Sequence, residues 1–196
     1  INSLADQLLE KIAPNLENTT DDEIINSESY AYYLKGKSYG GEFMNYKNLS
    51  SEELRLSREL LSKAIELDST NIDAQIQLAR TYIMYIEDVD NTVQLLNNSM
   101  RLCRVYDKEK DLGRVYRNIG LAEFREWAGG KANYSNMPSY DNFKKAASIA
   151  KIYNDNWGYK TAIGNIMSSF TNERDSETSK DSVHYYANLL LTYAAE

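Results

Sequence analysis

The residues best suited to chemistry are few and scattered. His184 is the single histidine. No nucleophile or metal-ligating set accompanies it in the sequence, so a surface or seam position is expected for it rather than acid–base work. Cys103, the one cysteine, falls in an apolar helical stripe near Leu102 and Val105, which predicts a buried, inert thiol. Glu87-Asp88-Val89-Asp90-Asn91 alternates oxygens but lacks the rest of a calcium loop, and it reads as a helix-capping turn. Gly40-Gly41 and Gly129-Gly130 do not form a phosphate-cradling loop; they end helices or begin insertions. Asn97-Asn98-Ser99 matches a glycosylation acceptor with no secretion signal beside it. Catalytic residues, bound metals and cofactors are therefore all expected to be none, and an enzyme is disfavoured for want of an acid–base pair.

Composition narrows the class. The chain has 196 residues, of which 42% are hydrophobic and 26% charged, an ordinary globular balance for one substantial domain. Net charge is −7, with 29 acidic against 22 basic residues, which opposes general nucleic-acid binding. No apolar run reaches the length of a membrane span, and no basic start precedes an apolar core. A lone cysteine fits a reducing compartment, so a cytoplasmic location is expected. The start at Ile1 suggests a piece of a longer protein. Two prolines and nine glycines suit helices, and 16 tyrosines suit half-wet seams between them.

The elements that would position any site are helical hairpins. Ser50 with Glu53 is a capping-box pattern, followed by an apolar stripe at Leu54, Leu60, Leu61, Ala64, Ile65 and Leu67. Asp68-Ser69-Thr70-Asn71 reads as a helix-ending turn. Thr70 with Asp73 is expected to start the next helix, whose stripe is Ile76, Leu78, Ala79, Tyr82 and Ile83.

These residues resemble a tetratricopeptide (TPR) repeat. Leu61-Ser62-Lys63-Ala64-Ile65-Glu66-Leu67-Asp68 looks like the family's second-helix signature, with Ser69 where proline is usual. Leu78, Ala79 and Tyr82 fall on the Leu, small-residue and Tyr positions, where the small residue lets two helices approach closely. Gly36 with Tyr39, Ile119 with Gly120, and Ile163 with Gly164 repeat the pattern in other first helices. Ala64, Leu96 with Ser99, Phe143 with Ala146, and Tyr186 with Leu189 and Leu190 anchor the second helices. Ser99 follows Ala64 by 35 residues, close to the ~34 of the repeat. Ala146 follows Ser99 by 47, which places an insertion at 129–138; another extension lies at 40–49. The resemblance implies an all-α, right-handed superhelical solenoid of about four degenerate hairpins over residues 28–196. Residues 1–27 are expected to form a linker helix, Asn2 to Ala13, and an acidic connector.

The order of that helix, the connector and Ser29-Tyr30-Ala31-Tyr32-Tyr33-Leu34-Lys35-Gly36-Lys37 is similar to the stretch that follows class III adenylate/guanylate cyclase domains in bacterial signalling proteins. No cyclase catalytic residue can be carried over. The resemblance implies a non-catalytic protein–protein interaction or regulatory module. It would work through a groove lined by Tyr33, Lys37, Asp73, Ile76, Arg80, Met84, Arg114, Arg117, Leu121, Arg125 and Asn165, with Thr161 and Ser168 beside them. Its arginines suit an acidic protein or peptide, although Asp107, Glu109 and Asp111 are placed to neutralise them. The last helix, from Ser182, offers an apolar face for self-association as a homodimer or for packing on its predecessor. Alternatives are an adaptor or assembly scaffold and a small-molecule sensor roofed by the aromatic stretch from Trp127 to Tyr140; neither nucleic acid nor membrane is expected as a partner.

Overall fold

The computed structural model describes residues 26–40, 50–85, 88–128, 139–171 and 177–195. Among them the chain forms eight helices and no strand, the all-α class expected. They are α1 (Ser27–Gly40), α2 (Ser51–Leu67), α3 (Ile72–Tyr85), α4 (Val89–Val105), α5 (Glu109–Ala128), α6 (Ser139–Ile152), α7 (Asn156–Thr171) and α8 (Glu177–Ala195). The expected linker helix and connector up to residue 25, the 41–49 extension and the 129–138 insertion lie outside the described residues. None of the described helices is long and apolar enough to cross a membrane. The helices divide between two compact units, Ile1–Met84 and Tyr85–Glu196.

In the first unit the local signals work as chemistry dictates. Ser50 Oγ accepts from the Glu53 N–H at 3.2 Å, and the Glu53 carboxylate accepts from the Ser50 N–H at 2.8 Å, closing the capping box. One expectation moves by a residue. Asp68 Oδ1 takes both the N–H (2.8 Å) and the hydroxyl (2.6 Å) of Thr70, which ties Thr70 into the turn that ends α2. Asn71 caps α3 instead, its Oδ1 accepting from the Ala74 N–H at 2.9 Å.

α1 and α2 run antiparallel and nearly touch. Ser29 Oγ donates to the Ala64 carbonyl at 2.7 Å, and Ser57 Oγ donates to the Gly36 carbonyl at 2.7 Å. A Cβ on Gly36 would stand 2.7 Å from Leu61 Cγ, so only glycine admits this approach. α3 lies along α2 in the same manner. The Arg58 guanidinium donates to the Thr81 carbonyl at 3.0 Å and rests 4.4 Å from the centre of the Tyr82 ring. Leu54, Leu61, Ala64, Ile76, Ala79 and Ile83 form the buried apolar set.

Ser29 ties all three helices, because its buried hydroxyl also accepts from Asn71 Nδ2 at 2.9 Å, at the start of α3. Ser29→Ala leaves the Asn71 amide short of a partner and unties α1 from the Ala64 carbonyl, which keeps the Asp68 N–H. It is expected to cost about 2 kcal/mol, read as a lower urea midpoint at an unchanged slope.

In the second unit, Asp88 caps α4 with its carboxylate accepting from the Asn91 N–H at 3.2 Å, and its φ is +48°. The oxygens of Asp88 thus serve a helix-capping turn, as read from the sequence. α5 and α6 are the closest pair: a Cβ on Gly120 would lie 2.7 Å from Phe143 Cε1. Phe143, Ala146, Ala150, Ala162, Ile163 and Ile166 make the core between α6 and α7. α8 packs Tyr186, Leu189 and Leu190 against that core. Tyr186 and Tyr140 share a hydroxyl–hydroxyl bond of 2.7 Å, and Phe170 stacks on Tyr186 with ring centres 6.1 Å apart. Gly164 differs from Gly36 and Gly120, since a Cβ there meets nothing within 4 Å.

Candidate functional site

The expected groove residues fall in both units and are described unit by unit. In the first, Lys37 is exposed and its ammonium sits 5.8 Å from the Tyr33 ring centre. Tyr33 itself is buried beside Tyr30, and Ile76 is buried in the core. Asp73, Arg80 and Met84 are half-buried, and Arg80 Nη1 donates to Gln77 Oε1 at 3.3 Å.

The second unit brings more of the set together, on neighbouring helices α5 and α7. Arg114, Arg117, Leu121 and Arg125 are spaced along α5 at helical intervals. Arg114 pairs with Asp111 at 3.2 Å, as the sequence anticipated, and both side chains are about one-third exposed. Glu109 is engaged elsewhere: its carboxylate accepts from the Tyr153 hydroxyl at 2.8 Å. Leu121 packs against the core.

Arg117 is only 4% exposed, and its guanidinium lies 4.6 Å from the centre of the Trp157 ring on α7. Trp157 is 59% exposed, so one of its faces rests on a cation while much of the ring meets water. Next to Arg117, Asn118 is wholly buried and its Nδ2 donates to the Arg114 carbonyl at 2.7 Å. Its Oδ1 has no hydrogen-bond partner among the described residues, and neither has Nδ2 of Asn165 on α7. α5 thus holds an unmet acceptor, and α7 holds an unmet donor two turns beyond Trp157. Thr161 hydroxyl donates back to the Trp157 carbonyl at 2.7 Å, and Ser168 is exposed.

Charge on this face leans basic, with Arg114 offset by Asp111. α7 contains no acidic residue. Glu123 of α5 faces α6, where its carboxylate accepts from Asn142 Nδ2 at 2.9 Å. Burial pushes the Glu123 carboxyl above its ordinary range, against the pull of that bond and of Lys145. Trp157 was not among the residues singled out from sequence. An aromatic residue in the first turn of an otherwise acid-free helix was the available signal.

The residues first considered for chemistry are placed plainly. Cys103 is buried, and burial pushes its thiol up to about 11, which suits the inert reading. Val105, taken with it as stripe, is exposed instead. His184 is exposed, with Nδ1 2.9 Å from the Lys180 carbonyl oxygen. No cluster of three or more His, Cys, Asp or Glu that could hold a metal occurs among the described residues. No protein-family model matches the chain, and no curated protein and no solved structure matches it either.

Proposed function

We propose that this chain is a TPR-like protein-interaction module whose α5–α7 face holds an extended acidic segment of a partner protein. The observation that carries this reading is the buried Arg117 guanidinium resting on the exposed Trp157 ring, with an unmet polar atom at Asn118 on α5 and another at Asn165 further along α7. A buried carboxamide oxygen or N–H without a partner costs about 1–3 kcal/mol. An extended peptide that displaces the Trp157 ring can meet them in turn, an N–H at Asn118 Oδ1 and, about 12 Å further along α7, a C=O at Asn165 Nδ2. Rotation of the half-exposed Trp157 ring opens the Arg117 guanidinium to a carboxylate, which it can grip through two parallel bonds. Arg125, about two turns away on α5, extends the positive track, while Arg114 is offset by Asp111. A superhelical arrangement of the hairpins, and a regulatory place in a bacterial signalling protein, follow from the TPR and cyclase-linked resemblances and belong to the same proposal.

Trp157 provides the test. Trp127→Phe leaves it as the only tryptophan of the chain, so its emission reports on the Arg117 contact. Random-sequence peptide pools with two fixed Asp or Glu positions are expected to shift that emission saturably, and pools with fixed Lys are not. In the otherwise unaltered chain, Trp157→Ala is expected to weaken binding of labelled acidic pools about tenfold by anisotropy, the scale of a desolvated cation–ring contact. Equal response to acidic and basic pools sinks the reading.

A further inference from the structure

Two turns of the second unit repeat one another in sequence and in shape. Arg104-Val105-Tyr106-Asp107 ends α4, and Lys151-Ile152-Tyr153-Asn154 ends α6: a base, a β-branched residue, tyrosine, then Asp or Asn. Asp107 and Asn154 take the left-handed conformation at φ +51° and +52°. In each turn the next N–H reaches back five residues, Lys108 to the Cys103 carbonyl and Asp155 to the Ala150 carbonyl, both at 2.8 Å. The Tyr153–Glu109 bond links one turn to the other at the same end of the hairpins.

The apolar side chains of these turns face water. Val105 is 60% exposed, Ile152 72%, Tyr106 51% and Tyr153 39%. Turn chemistry does not demand them, because the α2–α3 turn is closed by Asp68, Ser69, Thr70 and Asn71 alone. Their cost to solubility implies a use.

We propose that this end of the second unit docks reversibly on a lipid bilayer surface that carries anionic headgroups. Each turn presents a cation, an aliphatic side chain and a tyrosine, the set that partitions to the membrane–water boundary. Residues 101–110 and 148–160 hold six basic against three acidic residues, within a chain whose acids outnumber its bases. Two of those acids are engaged, Glu109 by Tyr153 and Asp155 by the Gly158 N–H at 2.9 Å. Acidic residues more than about 8–10 Å away are screened at physiological salt.

Area favours lipid over a protein. Four side chains exposed to this extent offer on the order of 400 Å², about half of what one side of a stable protein interface buries. They are the projecting ends of hairpins, which suit a flat surface better than a partner helix. One turn alone would bind too weakly to matter, whereas two copies held side by side act together.

Vesicle flotation tests this independently of the peptide groove. The full chain is expected to float with phosphatidylcholine vesicles in which phosphatidylserine makes up about a third of the lipid, roughly tenfold more than with phosphatidylcholine alone. High salt should release it. The double variants Val105→Ser/Ile152→Ser and Arg104→Glu/Lys151→Glu should each fall to the neutral-vesicle level; the first keeps its thermal midpoint because the altered side chains face water, and the second loses a few degrees because it sets acids at two helix C-termini. No flotation at low salt, or flotation that survives both double variants, overturns the proposal. So does self-association that depends on Val105 and Ile152 in the absence of vesicle binding, which would assign the surface to a protein.

Discussion

Gly120→Ala is expected to destabilise the second unit by about 2 kcal/mol, while Gly164→Ala stabilises it by about 0.5–1 kcal/mol. The substitution is the same, and in an open helix interior it gains about 1 kcal/mol because glycine spends more backbone entropy on folding. At Gly164 nothing stands within 4 Å of the added methyl, so that gain is realised. At Gly120 the methyl would sit 2.7, 2.8 and 3.1 Å from three carbons of the Phe143 ring. That ring is fully enclosed in the α6–α7 core, and a dense interior offers it no space to retreat into. Pairing Gly120→Ala with Phe143→Leu should restore part of the loss beyond additivity, which a double-mutant cycle in urea detects. A Gly120→Ala chain as stable as the original would mean that α5 and α6 do not approach as described.

The contrast between those glycines shows what a sequence conveys. Gly36, Gly120 and Gly164 occupy equivalent positions in the repeat pattern, and the pattern predicts close approach at all three. The structure delivers it at two, because close approach needs a large residue on the facing helix, Leu61 or Phe143, and no neighbour reaches Gly164. Local signals transferred best. The Ser50–Glu53 box depends only on residues three apart, and it forms as read. The cap of α3 moved from Thr70 to Asn71 because Asp68 holds Thr70, by its N–H and its hydroxyl, in the preceding turn.

Faces were legible, but what covers each face was not. Helical periodicity puts Tyr33 and Ile76 on one side of their helices, yet neighbouring elements decide whether that side is open, and here both are buried. Val105 continues the apolar stripe of Leu102, but α4 ends there and nothing encloses it. Arg117 has the spacing of a surface cation, and its burial depends on Trp157, which is 40 residues away and belongs to another helix.

Asn118→Leu is expected to raise stability by about 1 kcal/mol and to weaken acidic-peptide binding about tenfold. Both effects have one cause. The carboxamide of Asn118 is wholly enclosed, and its oxygen meets no donor among the described residues. Its Nδ2 bonds to the Arg114 carbonyl, and that carbonyl is already within the helix ladder, so losing the bond costs little. A leucine of similar volume removes the unmet acceptor and adds apolar contact. Folding alone gives no reason to keep asparagine there, and a residue that lowers stability persists where binding uses it. Asn118→Asp separates the roles: it keeps acceptors at the site but sets a negative charge beside Arg117, so acidic peptides should bind more weakly still. If Asn118→Leu is instead destabilised by 2 kcal/mol or more, an ordered water already satisfies the oxygen. The residue would then be part of the fold, and the peptide reading would rest on Arg117 and Trp157 alone.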